Sequence, residues 1–194
     1  MYTKLTDTYF FTSTINSWKH LLATDAHKAI ILSAFRYCCE QKRILLHAFV
    51  IMPNHTHLLL TLQNEETTIT FQRDFLKFTA QQIIKNLIQL KQEDELNKYR
   101  STQKDRIYHI WERRPKWITI QNLDIFNQKL KYLHNNPLQE HWCLAMDGVE
   151  YKWSSAAFYE NNDQSYSFLT PVRGSVVGGG TPTTGGRFVC YIVN

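Results

Sequence analysis

The chain has 194 residues, 43% of them hydrophobic and 13% aromatic, which is enough for the core of one ordinary domain and argues against disorder. Lys and Arg outnumber Asp and Glu by 22 to 17, and the resulting net charge of +5 suits a polyanionic partner without requiring one. Four cysteines (Cys38, Cys39, Cys143, Cys190) show neither a CxxC motif nor metal-finger spacing, and the adjacent Cys38 and Cys39 read as small buried hydrophobes.

The opening Met1–Asp7 is too polar for a secretory signal, and no apolar run reaches the roughly 20 residues of a bilayer span. A soluble, cytoplasmic protein with no membrane partner is expected. Tyr9–Ile15 is rich in aromatic and β-branched residues and predicts a first strand. Asp25 is placed to cap a helix running to about Lys42, with Ile30, Ile31, Ala34, Phe35 and Cys38 on one apolar face. Ile44–Met52 is almost continuously apolar and predicts a central strand buried on both faces. Pro53-Asn54 turns the chain into a returning strand over His55–Leu62, so the two strands are antiparallel neighbours.

Thr68 to about Leu90 predicts a second long helix with Phe71, Phe75, Phe78, Ile83 and Leu87 inward. The polar run Gln89–Arg106 predicts the helix end and an exposed loop, Ile107–Trp111 another strand, and Asp124–Asn135 a third helix stopped by Pro137. This order predicts an α+β domain over residues 1–170, an antiparallel sheet with helices on one face. Residues 171–194 carry six of the seven glycines and predict a flexible tail.

The most informative local feature is Met52-Pro53-Asn54-His55-Thr56-His57-Leu58-Leu59-Leu60. In a strand, His55 and His57 project from the same face about 7 Å apart, where neutral imidazoles can share one divalent cation. Far downstream, Lys131-Tyr132-Leu133-His134-Asn135-Asn136-Pro137 puts Tyr132 and Asn136 four residues apart on one helix face. His134 lies roughly 200° round the helix from Tyr132 and reads as structural.

These segments, with Trp111-Glu112-Arg113 between them and Tyr151-Lys152-Trp153-Ser154-Ser155 after them, resemble the four ordered sequence blocks of the REP-associated tyrosine transposases. These are a branch of the HUH, IS200-like single-strand DNA transposases. The resemblance spans about residues 7–170; Thr56, where the family's His-hydrophobe-His has an apolar residue, is a departure that keeps a β-branched strand former. The resemblance implies a ferredoxin-like HUH fold, Tyr132 as nucleophile, and His55, His57 and Asn136 as ligands of Mg²⁺ or Mn²⁺. It implies single-stranded or hairpin DNA as partner, cut and rejoined through a 5′-phosphotyrosine, by a monomer or by a homodimer that exchanges the tyrosine helix. Such a linkage conserves the phosphodiester energy, so a 3′-OH can rejoin the strand without ATP.

For DNA contact the best basic-aromatic cluster is Arg106, Arg113, Arg114 and Lys116, interleaved with Tyr108, Trp111 and Trp117. The competing reading is a solvated strand end with Trp111 in the core. Trp153 reads as a packing anchor, and Ser154 and Ser155 as phosphate or cap donors. Two further functions remain open to the residues: a catalytically silent hairpin-DNA binder, and a metal-dependent hydrolase using water.

Overall fold

The computed structural model describes residues 5–172 and 175. Its centre is a four-stranded antiparallel sheet in the order β2-β3-β1-β4, formed by β1 (Thr8–Thr14), β2 (Ile44–Ile51), β3 (His55–Leu62) and β4 (Lys116–Thr119). Helix α1 (Asp25–Glu40) connects β1 to β2, and α2 (Thr68–Gln89) with the short α3 (Glu93–Asn97) lies between β3 and β4. Helix α4 (Leu123–Asn135) and the six-residue α5 (Ala156–Asn161) follow the sheet. The α+β class and the β2–β3 hairpin agree with the sequence reading.

Helices cover both faces of the sheet, not one. Strand residues of alternate parity separate into two cores. Phe11, Phe49, Leu58 and Leu60 pack with Phe35 of α1 and Phe71, Phe75 and Ile83 of α2. Phe10, Ala48, Val50 and Leu59 pack on the other face with Phe126, Leu130 and Leu133 of α4. The parity of β2 changes at a bulge between Leu46 and Ala48. That extra residue lets Leu46 and Phe49, of opposite parity, both enter the first core.

His47 sits at this irregularity with both ring nitrogens engaged. Its Nδ1–H donates to the Thr170 carbonyl (2.7 Å) and its Nε2 lies 2.8 Å from the Thr61 hydroxyl. Burial holds its pKa below the usual histidine value, opposed by the bond to Thr170. Because the folded pKa is depressed, the unfolded chain binds the proton first, so stability falls as pH drops from about 6.5 toward the lowered folded value. His47→Gln, which cannot titrate, should give a flatter decline in urea midpoint between pH 7.5 and 5 than the wild type.

Several local expectations change. The N-cap of α1 is Thr24, whose side chain accepts from the His27 N–H, and Asp25 is free to bond Lys152 and Trp153. On α2 the inward residue beside Phe75 is Thr79, while Phe78 is exposed. The stretch expected as an exposed loop includes α3 and buries Leu96 and Tyr99.

Ile107–Trp111 is not a strand: Tyr108 and Trp111 make only isolated bridges, to Arg100 and Ile15. Trp111 is buried, and its indole N–H donates to the Thr79 hydroxyl at 3.0 Å. The fourth strand is Lys116–Thr119 instead. Among the described residues no helix is long and apolar enough to cross a membrane. The glycine-rich tail, residues 171, 172 and 175 apart, lies outside the described residues; Val172 is buried in the second core.

Candidate active site

The second face of the sheet carries the site. His55 and His57 pair with Thr14 and Thr12 across β1 and share the parity of Leu59, so both point toward α4. Their ring centroids are 4.7 Å apart, closer than the strand spacing because the rings lean together. On α4, Phe126, Leu130 and Leu133 form the buried stripe, and the adjacent stripe of Lys129, Tyr132 and Asn136 faces a cleft. The cleft measures about 1080 Å³, and His55, His57, Tyr132 and Asn136 all line it.

The Tyr132 ring is 5.3 Å from that of His57 and 6.0 Å from that of Phe10, and is 44% exposed, so its hydroxyl is open to a ligand. Asn136 ends α4 and is buried.

The polar atoms of this cluster are unevenly satisfied. Asn54 Oδ1 accepts from His55 Nδ1–H at 2.6 Å, which makes Nε2 the lone-pair nitrogen of the neutral ring, with the Asn136 side chain within its reach. His57 Nδ1 lies 2.8 Å from the Thr12 hydroxyl, while His57 Nε2 is buried with no hydrogen-bond partner. Asn136 Oδ1 is likewise buried and unpartnered. Buried polar atoms are rarely left unpaired, and two such acceptors in one cluster fit a cation as the missing partner.

Among the described residues no three His, Cys, Asp or Glu side chains group as a metal site; the further side chain beside the two histidines is the Asn136 amide. Burial pulls the His55 pKa down to about 4, against an opposing contribution from the Asn136 side chain and aided by His141. Burial, with the charges of His55 and Lys129, puts His57 well below the ordinary range. Both imidazoles are thus neutral near pH 7, the form that binds metal.

The fold is similar to those of two solved structures. A REP-associated tyrosine transposase bound to a REP hairpin is 18% identical, with alignment over 98% of this chain and 96% of that one and a TM-score of 0.58. The chain has the fold of a REP-associated tyrosine transposase. A candidate transposase from Deinococcus radiodurans R1 is 19% identical over 66% of this chain and 88% of that one, with a TM-score of 0.43. No family model matches the chain, and no curated protein does.

Within this transposase fold the expected DNA-contact residues divide. Arg113, Arg114 and Lys116 are exposed and line the cleft, whereas Arg106 does not line it and pairs with Asp105 at 2.6 Å. The aromatics expected to stack bases turn inward. Besides Trp111, the Trp117 indole donates to Gln72 at 3.0 Å, and Tyr108 packs against the first core.

Ser155 is not exposed to phosphate: it lies buried between His134 Nε2 (2.9 Å) and the Phe49 backbone. His134 is accordingly structural, and burial lowers its pKa to about 4. Trp153 is the anchor expected, with its carbonyl on the Ile51 N–H and its indole on Asp25. The sequence reading missed Trp18, His20, Lys129, His141 and Trp142, all of which line the cleft. Lys129 alone had a signal, its three-residue spacing before Tyr132.

Proposed function

We propose that this chain is a metal-dependent transposase that nicks and rejoins single-stranded, hairpin-forming DNA through a 5′-phosphotyrosine at Tyr132. The observation that carries the reading is the juxtaposition of an exposed tyrosine with two neutral histidines and an amide, among which His57 Nε2 and Asn136 Oδ1 are buried without partners. The likeness in fold to a transposase described with a REP hairpin supports the substrate class.

In this reading His55, His57 and Asn136 hold Mg²⁺ or Mn²⁺. When bound, the ion supplies charge stabilisation for a phosphoryl oxygen and the departing 3′-oxygen. The protein's own residues bind and align the strand. Arg113, Arg114 and Lys116 form a cationic rim for phosphates, and none of the three is in an ion pair among the described residues. Tyr132 Oη attacks phosphorus, its proton passes to solvent, the P–O3′ bond breaks, and the 3′-oxygen takes a proton to become a free 3′-OH. Attack by another 3′-OH reverses these steps and releases Tyr132. In this reading Tyr132 serves the histidines of its own chain, whose His57 ring lies 5.3 Å away.

The test uses a hairpin oligonucleotide with unpaired flanks, drawn from repeats near the gene and labelled at its 3′ end, with Mn²⁺. A 5′-phosphotyrosine retains the downstream fragment, so the label should run with the protein on a denaturing gel. A 5′ label should instead appear in a free, shortened strand. Cleavage with no labelled protein would refute the covalent reading and favour the water-using hydrolase.

The cationic rim makes a separate prediction. Arg113→Ala with Arg114→Ala should weaken binding across sequences and lower the slope of log affinity against log salt by about 1 to 2. An unchanged slope in a fluorescence-anisotropy salt titration would remove these arginines from the DNA path.

A further inference from the structure

Trp18 is 63% exposed at the mouth of the cleft, although a tryptophan ordinarily buries most of its large apolar ring. Its backbone is at the same time closely specified. Ser17 and Trp18 are consecutive residues in the left-handed region, with φ of 58° and 56°, which non-glycine residues seldom adopt. Side chains and carbonyls from three other places hold that shape. The Ser17 N–H donates to Glu112 Oε1 at 2.7 Å, the Trp18 N–H to the Ile15 carbonyl at 2.9 Å, and Asn54 Nδ2 to the Trp18 carbonyl at 3.1 Å. Asn54 also accepts the Ile15 N–H on its own carbonyl at 2.8 Å. A disfavoured backbone is being held so that an indole faces solvent rather than the core.

The direction of that indole identifies its ligand. Its ring lies 6.3 Å from the ring of His55, and the half-buried Trp142 lies 6.0 Å from the same histidine. The cleft continues to Arg113, Arg114, Lys116 and Lys129, so a strand whose phosphates follow the cations passes its bases along this mouth. A flat π surface beside a cationic track matches an unpaired nucleobase, since every base has a face that stacks.

We propose that Trp18 is the stacking platform for one unpaired base of the DNA strand entering the cleft, next to the phosphate that Tyr132 attacks. This rests on the transposase reading above and adds a base subsite to it. Asn54 links the subsite to the chemistry: its Nδ2 holds the Trp18 carbonyl and its Oδ1 holds His55 Nδ1. One amide thereby sets the spacing between the stacked base and the candidate metal ligand.

The experiment measures, by fluorescence anisotropy with chelator present to prevent cleavage, affinity for two hairpins. One carries the unpaired flank and the other ends flush with its stem. The full-length chain is compared with Trp18→Gly and Trp18→Phe. Glycine accepts the left-handed backbone, so Trp18→Gly removes the ring without adding strain. It should weaken the flanked hairpin about 10- to 100-fold and leave the flush hairpin unchanged, while Trp18→Phe restores most of the lost affinity. Equal loss on both hairpins, no loss on either, or failure of Trp18→Phe to recover affinity would overturn the platform. A wild-type chain that binds neither hairpin would overturn the DNA-processing reading itself, and the platform with it.

Discussion

Tyr132→Phe is expected to abolish formation of the covalent protein–DNA product, lowering cleavage by at least about 10³-fold, while hairpin binding and folding stay intact. The separation of effects follows from the surroundings of the residue. The ring touches Phe10 and His57 edge-on, and phenylalanine preserves both contacts. The hydroxyl has no hydrogen-bond partner among the described residues and stands in the open cleft, so its removal leaves no buried group unsatisfied.

The stability change should fall within about 0.5 kcal/mol, as for a surface substitution, and a urea midpoint checks it. A gel assay on wild type and variant then separates three outcomes. Loss of both adduct and cleavage with unchanged affinity supports the nucleophile. Cleavage that survives in the variant identifies water as the nucleophile. Binding without cleavage by the wild type, over several candidate repeats, identifies a silent hairpin binder.

What was legible in the sequence is what local chemistry dictates. The hairpin of β2 and β3 follows from an apolar run, a Pro-Asn turn and a second run, and the period of two alone puts both histidines on one face. The four-residue step from Tyr132 to Asn136 likewise predicts that one helix presents both to one place. The face of the sheet on which α4 packs was not legible. The α4 stripe of Phe126, Leu130 and Leu133 needs an apolar surface, and both faces of this sheet are apolar.

The error over the fourth strand has a comparable origin. Ile107–Trp111 looks more β-like than Lys116–Thr119, but Trp111 is captured beneath α2 by Thr79, and the pairing that completes the sheet is backbone-driven over a largely exposed segment. That capture also explains why Trp111, expected beside the DNA, is buried in the first core. Trp18 has no periodic pattern around it, and only the tertiary tethers from Asn54 and Glu112 make it a feature of the cleft.

His57→Ala should remove both divalent-metal binding and metal-supported cleavage, because His57 contributes a lone pair that nothing else in the fold uses. Its Nε2 is buried and unpartnered, and Thr12 orients the ring through Nδ1. Deleting the neutral imidazole leaves no charge unpaired and only the part-buried Thr12 hydroxyl without its partner, so the chain should still fold and bind DNA, though it loses the ring stacked on Phe10 at 5.1 Å. Asn136→Ala removes an amide oxygen, a weaker donor than an imidazole nitrogen, and should cost less, about 10- to 100-fold in metal affinity by analogy with losing a supporting ligand-shell group.

The readout independent of activity is the electron paramagnetic resonance signal of free Mn²⁺, titrated with protein in the absence of DNA. Wild type should deplete that signal at one site per chain, Asn136→Ala more weakly, and His57→Ala not at all. Equal depletion by wild type and His57→Ala would place the metal elsewhere. Cleavage by wild type that resists chelator would remove the metal from the mechanism and leave the paired histidines to act as bases, which their neutral state at pH 7 would permit. Loss of binding in His57→Ala together with loss of the Tyr132 adduct, at unchanged hairpin affinity, is the joint result that only a shared metal–tyrosine site predicts.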